Sequence, residues 1–267
     1  LTLGDNMRVE ALVKKRKYNV IFFAVLLILT LTSIVLTEFD AAKGITSIPR
    51  AIRWATSNFY PDIKSLEKIP RIWIKLRETI FLSIAATTMA AICAAFLALL
   101  GSKTTRVNRL LGAASRGISS IFRNIPLTAW ALILLLSFGQ SSLTGFFALF
   151  FFNFGFLARA FVDTIDEVSS DGVEALQAAG ATYFQIIFQA VIPTCLPQMI
   201  SWILFMIETN IRSATLIGIL TGTGIGFIFE LYYKSFQYHV ASLVVIFIII
   251  SVLVIEFISN YVRRVIL

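Results

Sequence analysis

Six apolar stretches limit what this chain can become: residues 20–36, 79–100, 125–138, 143–161, 195–220 and 240–258. A helix of about 20 apolar residues matches the hydrocarbon core of a bilayer, and most of these stretches approach that length. Hydrophobic residues make up 58% of the chain and charged ones only 14%, far from the composition of a soluble domain. The reading is an all-α polytopic membrane protein of about six transmembrane helices. The formal net charge of +8 could suggest nucleic acid. The positive residues, however, are divided among the loops between apolar stretches, where they orient a chain in its membrane. Membrane lipids are therefore the expected surroundings, and no nucleic-acid partner is expected. Cys93 lies in one apolar stretch and Cys195 at the edge of another, so neither supports a disulfide framework. The lone His239 argues against a histidine-rich metal site.

The first 18 residues are polar and carry Arg8 and the run Lys14, Lys15, Arg16, Lys17, which suits a cytoplasmic anchor at the headgroups. Residues 20–36 have the basic front and apolar core of a signal peptide. They are long enough to span, though, and TEFDAAK follows in place of a small-residue cleavage site, so they are assigned to the first transmembrane helix. Residues 38–78 hold Pro49, Pro61 and Pro70 with Trp54, Phe59, Tyr60 and Trp73. An external segment is expected there, with an amphipathic interfacial piece at 69–75.

Residues 79–100 are rich in alanine (Ala85, Ala86, Ala90, Ala91, Ala94 and Ala95), which permits close helix contact and places this span inside a bundle. Lys103, Arg106, Arg109, Arg116 and Arg123 follow with no acid among them, the strongest inside marker in the chain. A short third span at 125–138, a GQSS turn and a fourth span at 143–161 come next. The phenylalanines of the fourth read as lipid-facing bulk. With Arg263 and Arg264 closing the chain inside, alternation puts both ends of the six spans in the cytoplasm.

Glu208 and Arg212 in the fifth span are four residues apart and share a helix face. Ionised groups in lipid are costly, so they must face each other, a partner helix or an aqueous path. Glu208, Asn210, Arg212 and Thr215 are the candidate residues of a translocation path. A structural ion pair and an anion-attracting guanidinium both remain open readings. Gly222, Gly224 and Gly226, with Gly218, permit irregular backbone, which membrane depth tolerates only where protein or a water-filled cavity satisfies it. They read as a re-entrant or gate-side turn at the outer mouth. GTGIG lacks a P-loop lysine, so nucleotide binding is excluded.

The apolar pattern is interrupted at 162–193, which holds five carboxylates and no lysine or arginine. Val173, Leu176, Ala179, Tyr183 and Ile187 keep a roughly helical spacing. Asp171 with Glu174, and Thr182 with Gln185, can form capping boxes. Gly180 between them can end one helix and admit a turn, and Pro193 fits an early position of the next helix. A helical hairpin on a membrane face is expected, either serving as a docking surface or as a merely structural loop.

Glu174, Ala175, Gly180 and Pro193 resemble the EAA loop of ABC importer permeases, with Leu176 in place of the second alanine. Glu208 to Gly226 is similar to the Glu-Ser-Asn-x-Arg-Ser-Ala-Thr and glycine-rich signature of phosphonate importer permeases, from which Thr209 and the GTGIG form depart conservatively. Asn124, Ile125 and Pro126 resemble the start of their third core helix. The resemblance extends over about residues 75–267. It implies a type I ABC importer transmembrane fold, with 79–267 as permease core and 1–78 as tail, first helix and external segment. It further implies a second permease copy, two cytoplasmic ATPase subunits that bind ATP and magnesium, and an extracytoplasmic solute-binding protein delivering phosphonate or a related phosphorus oxyanion. No cofactor and no catalysis are implied for this subunit itself, which lies in a bacterial inner membrane. Another small solute, or less readily a secondary transporter, are the alternatives. The latter usually shows two related halves, and no internal repeat is found.

Overall fold

The computed structural model describes residues 3–105, 108–168 and 170–266. Arg106 of the basic loop and Ser169 of the acidic stretch thus lie outside the described residues. The chain divides into two compact units, Leu1–Ser57 and Asn58–Leu267.

The first unit holds α1 (Leu3–Leu36) and α2 (Ala41–Asn58). The segment Lys14–Leu36 of α1 is long and apolar enough to cross a membrane, and its side chains are exposed along its length. Asp40 starts α2 by accepting the Lys43 amide at 2.8 Å. Ile45, Ile48 and Ile52 then fall on one face of α2, with Lys43, Arg50 and Arg53 on the other and no acid in the helix. α2 is thus an amphipathic helix within the segment for which only 69–75 was expected to be one. Its signal was obscured by Pro49 and the short polar residues around it.

The second unit starts with α3 (Ile63–Leu66) and α4 (Ile69–Gly101). α4 is unbroken for 33 residues, so residues 69–75 are its first turns, and the division expected at 78/79 falls inside it. Then come α5 (Arg109–Asn124), α6 (Leu127–Phe138) and α7 (Ser142–Val168). They are followed by α8 (Ser170–Ala178), α9 (Tyr183–Ile186) and α10 (Ile192–Thr221). α11 (Gly224–Lys234) and α12 (Tyr238–Ile266) complete the unit. Among the described residues five helical segments are long and apolar enough to span, or six when the bent pair α5 and α6 is taken as one.

α4 and α7 form the centre. Ala90, Ala91, Ala94 and Ala98 of α4 are buried in one core with Leu157, Ala158, Phe161 and Ile165 of α7. The alanine-rich span is interior, as its composition indicates. Small side chains let the backbones approach, which in lipid is the main source of helix attraction.

The third span differs from expectation. α6 is 12 residues long, about 18 Å, and meets α5 at 88°. Pro126 sets the elbow, since a proline disfavours helix at the residue before it. Phe122 stacks on Trp130 with ring centroids 5.3 Å apart, and Trp130 lies 4.9 Å from Phe151 of α7. The phenylalanines of α7 thus pack partly on this elbow, and none of them is fully exposed. Phe122 and Trp130 cover part of the face of α7 that was expected to meet lipid.

The glycine-rich turn also departs from a simple outer re-entrant loop. α10 ends on left-handed Gly222 (φ 69°), and Gly224 also has positive φ. The Ile225 amide then donates to Thr79 Oγ1 at 2.8 Å. Thr79 is about 15 Å along α4 from its start, so the turn is set well inside the bundle. Ile228 and Tyr232 pack with Leu76 and Ile72 in one buried cluster, so α11 runs antiparallel to α4 toward the end where α4 begins. The irregular backbone is enclosed by protein, the condition for tolerating it at that depth.

Candidate coupling surface and transport path

α7 continues to Val168, so the first residues of the acidic stretch belong to a membrane helix and the separate short helix of the stretch is α8. Asp171 lies in the first turn of α8, which begins at Ser170. Its charge there favours the positive end of the helix dipole. Gly180 adopts φ 77°, and two bonds close the helix around it: Ala181 N to Leu176 O and Gly180 N to Gln177 O, both at 3.0 Å. This is a Schellman closure, for which a residue without Cβ is the natural choice. At the second expected cap, Gln185 Oε1 accepts from Thr182 N at 2.8 Å and from Thr182 Oγ1 at 2.9 Å. The helix it starts is not a separate short one. α9 passes through a π-helical turn, Ile187–Val191, into α10, giving a continuous segment Tyr183–Thr221. Pro193 is thus ten residues into a long helix, and the π turn just before it absorbs a position with no N–H to donate.

Val173 is the anchor of α8: only 2% exposed, it is buried with Ile186, Ile187, Ala190 and Val191. Asp171, Glu174, Ala175 and Gln177 are exposed, so one face of α8 is fixed and the other offers carboxylates outward. Its root is held by a residue that the sequence did not single out. Asp166 Oδ1 accepts from Ser102 Oγ at 2.5 Å, Lys103 N at 2.8 Å, and Thr104 N and Oγ1 at 3.2 Å each. This knot ties the end of α7 to the end of α4. No local pattern could have revealed it, because its partners are more than 60 positions apart.

The four candidate path residues divide between two faces of α10. Asn210 is fully buried and its Nδ2 donates to Thr87 Oγ1 of α4 at 2.8 Å, while Asn153 of α7 donates to the same oxygen at 3.2 Å. Thr87 in turn donates to Ser83 O. One hydroxyl oxygen has two lone pairs and one proton, and here all are used to join three helices. Asn210 is accordingly placed as a bundle tie. Glu208, Arg212 and Thr215 lie on the other face. Arg212 Nη2 reaches Glu208 Oε1 at 3.0 Å, with side-chain exposures of 61% and 14%. Arg263 near the end of α12 also lies 3.5 Å from Glu208 Oε2. α12 runs beyond position 258, to Ile266, and so carries a second arginine to this acid. Thr215 sits where α11 crosses α10, its carbonyl facing Gly226.

A bundle of spanning helices with an exposed acidic helix at one end is the architecture of a multi-pass membrane subunit. Residues 86–266 match the family described as binding-protein-dependent transport system inner membrane component, and the chain belongs to that family. It is 27% identical over 226 residues to the phosphite transport system permease protein PtxC of Stutzerimonas stutzeri, covering 84% of this chain and 81% of that one. To the putative phosphite transport system permease protein HtxE of the same organism it is 32% identical over 193 residues, 72% of this chain and 74% of the relative. Its fold is similar to that of an inward-facing MetNI methionine ABC transporter, with a TM-score of 0.61 at 21% identity over 74% of this chain and 98% of that one. The fold is thus that of the type I ABC importer membrane subunit, and the chain is a transport component of the inner membrane, not a catalytic one. Among the described residues no group of three or more His, Cys, Asp or Glu is placed to hold a metal.

Proposed function

We propose that two copies of this chain form the membrane path of an ATP-driven importer for a phosphorus oxyanion: phosphonate, phosphite or a phosphate ester. An extracytoplasmic solute-binding protein delivers the solute, and two cytoplasmic ATPase subunits, which bind ATP and magnesium, dock on α8. The observation that carries this reading is α8 itself, with one face locked by Val173 and the other exposing Asp171 and Glu174. Closure of the ATPases pushes α8. The push passes through the Asp166 knot to α4 and α7 and through the continuous helix from Tyr183 to α10, which alters the path along Glu208 and Arg212. The glycine turn, with Gly222, Gly224 and Gly226, serves as the outer gate. The resemblance of the chain to phosphite permeases and the guanidinium on the exposed face of α10 support the solute class, since a planar donor fork suits phosphorus oxyanions.

Reconstitution with the cognate ATPase and binding protein tests this directly. ATP-dependent uptake of phosphite, phosphate or methylphosphonate is expected at least tenfold above the ATP-free control. Uptake confined to solutes without phosphorus would overturn the assignment.

Coupling has its own test at Gly180. Nothing lies within 4 Å of a Cβ built there, so Gly180→Val acts through backbone strain alone, about 1–2 kcal/mol for a left-handed position. Binding-protein-stimulated ATP hydrolysis and uptake should fall together several-fold while the permease dimer stays intact. Gly172→Ala, inside α8 and at ordinary contact distance from Ala190, should retain both. Undiminished coupling in Gly180→Val would remove the turn from the mechanism.

A further inference from the structure

At the end of the bundle near the basic loop, α5 and α7 enclose a small cavity of about 180 Å³. Arg116, Ser120, Arg123 and Asn124 recur every three or four residues on α5 and so share a face. Arg159 of α7 closes the cavity, and no carboxylate is among the lining residues. It adjoins a larger cleft of about 630 Å³ that shares Arg123 and Arg159, carries Asp163 and Glu167 in its wall, and reaches Gln198 and Trp202 of α10.

Two of the three guanidinium groups are already held in place. Arg116 Nη1 donates to Gly101 O at 2.6 Å, and Arg159 Nε donates to Asp163 Oδ2 at 3.0 Å. Arg123 has no ion-pair partner among the described residues. Its backbone is clamped nevertheless, since α7 approaches so closely that a Cβ on Gly155 would lie 2.4 Å from Arg123 N. A rigidly rooted, unpaired arginine beside two positioned ones, with a hydroxyl and an amide in the wall, is a donor set for a small tetrahedral oxyanion. Its place along the path is consistent with that use. Gln198, Trp202 and Arg212 share a face of α10 at spacings of four and ten residues, so Arg212 stands about 15–20 Å along the helix from the cleft.

We propose that this arginine cavity is an inner-side binding site for a phosphorus oxyanion, where transported solute is held before release; the proposal rests on the transport reading above. An anionic phospholipid headgroup presents the same chemistry, and the experiment separates the two sources. The assembled importer is placed in nanodiscs of phosphatidylcholine alone or with phosphatidylglycerol. Binding of radiolabelled inorganic phosphate is measured for the wild type, Arg123→Gln and Arg116→Gln/Arg123→Gln. In phosphatidylcholine, phosphate should bind the wild type and be weakened at least tenfold by Arg123→Gln, with Arg123→Lys intermediate because it keeps charge without the fork. Arg116 also braces α4, so the single Arg123 variant, whose side chain holds no part of the fold, keeps the test decisive. Phosphatidylglycerol retained by the wild type and lost from Arg123→Gln, without phosphate binding, would assign the cavity to a headgroup and overturn the solute-release role. Equal phosphate and lipid binding in wild type and variants would overturn the site altogether. If phosphorus oxyanions are imported but binding ignores Arg123, the site alone fails. If none is imported while Arg123-dependent phosphate binding persists, the transport reading fails and the binding site stands.

Discussion

Replacing Gly226 with alanine is expected to abolish a stably assembled permease. A Cβ there would lie 1.9 Å from the Thr215 carbonyl oxygen and 3.0 Å from Ile219 N, a contact between backbones that no rotamer change relieves. Gly218 at the same crossing is also tight, with a Cβ 2.5 Å from Thr223 O. α10 and α11 would have to part, breaking the Ile225 to Thr79 bond that sets the turn. Overpacking typically costs about 1–3 kcal/mol, and a backbone clash belongs at or above the upper end. Thermal unfolding of the solubilised protein checks it, with Gly117→Ala as comparison. Nothing lies within 4 Å of a Cβ at Gly117, and helical glycine costs about 0.5–1 kcal/mol relative to alanine, so that variant should be as stable as wild type or more so. A Gly226→Ala protein with the wild-type unfolding temperature would show that the crossing is loose.

Glu208→Gln should lower uptake at least tenfold, and the rescue should come from Arg263 in preference to Arg212. Arg212 is 61% exposed, so on the aqueous path proposed above its i,i+4 pair contributes only about 0.3–0.5 kcal/mol. Arg263 is 25% exposed, and its Nε is buried without a partner, so it is the cation left stranded when the acid is removed. Glu208→Gln/Arg263→Gln should therefore regain dimer content and much of the uptake, while Glu208→Gln/Arg212→Gln should not. Adding Arg212→Gln to the rescued protein then isolates the role of Arg212. Loss of uptake with assembly intact means that it draws the anion, and full uptake means that it only packs. Equal rescue by either arginine would refute the assignment of the structural role to Arg263.

The coupling turn was legible because its determinants are local. Gly180 needs a left-handed dihedral whatever surrounds it, and Thr182 with Gln185 is a contact over one helical turn. Asp171 falls in the first turn of α8, which begins at Ser170, since a capping pattern locates a helix start only to within one or two residues. Pro193 is the second residue of α10, the early position that proline favours, and the π turn at Ile187–Val191 joins that helix to the one before it. The path residues were legible as costly polar groups in an apolar stretch but not as faces. Asn210 and Arg212 look alike in sequence, yet one ties three helices through Thr87 and the other points out of the bundle.

By itself the sequence determined the membrane class, the alanine-lined central helix, the basic loop and the acidic helical interruption that ends at Gly180. Each follows from composition or from spacing within a few turns, where hydrophobic periodicity and dihedral preference act directly. The 88° elbow between α5 and α6, the Asp166 knot, the Thr87 junction and the arrival of Arg263 at Glu208 were decided only by tertiary structure. All four depend on partners distant in the chain. In a lipid-filled setting apolar burial does not discriminate one helix pairing from another, so close backbone approach and a few polar contacts choose the arrangement.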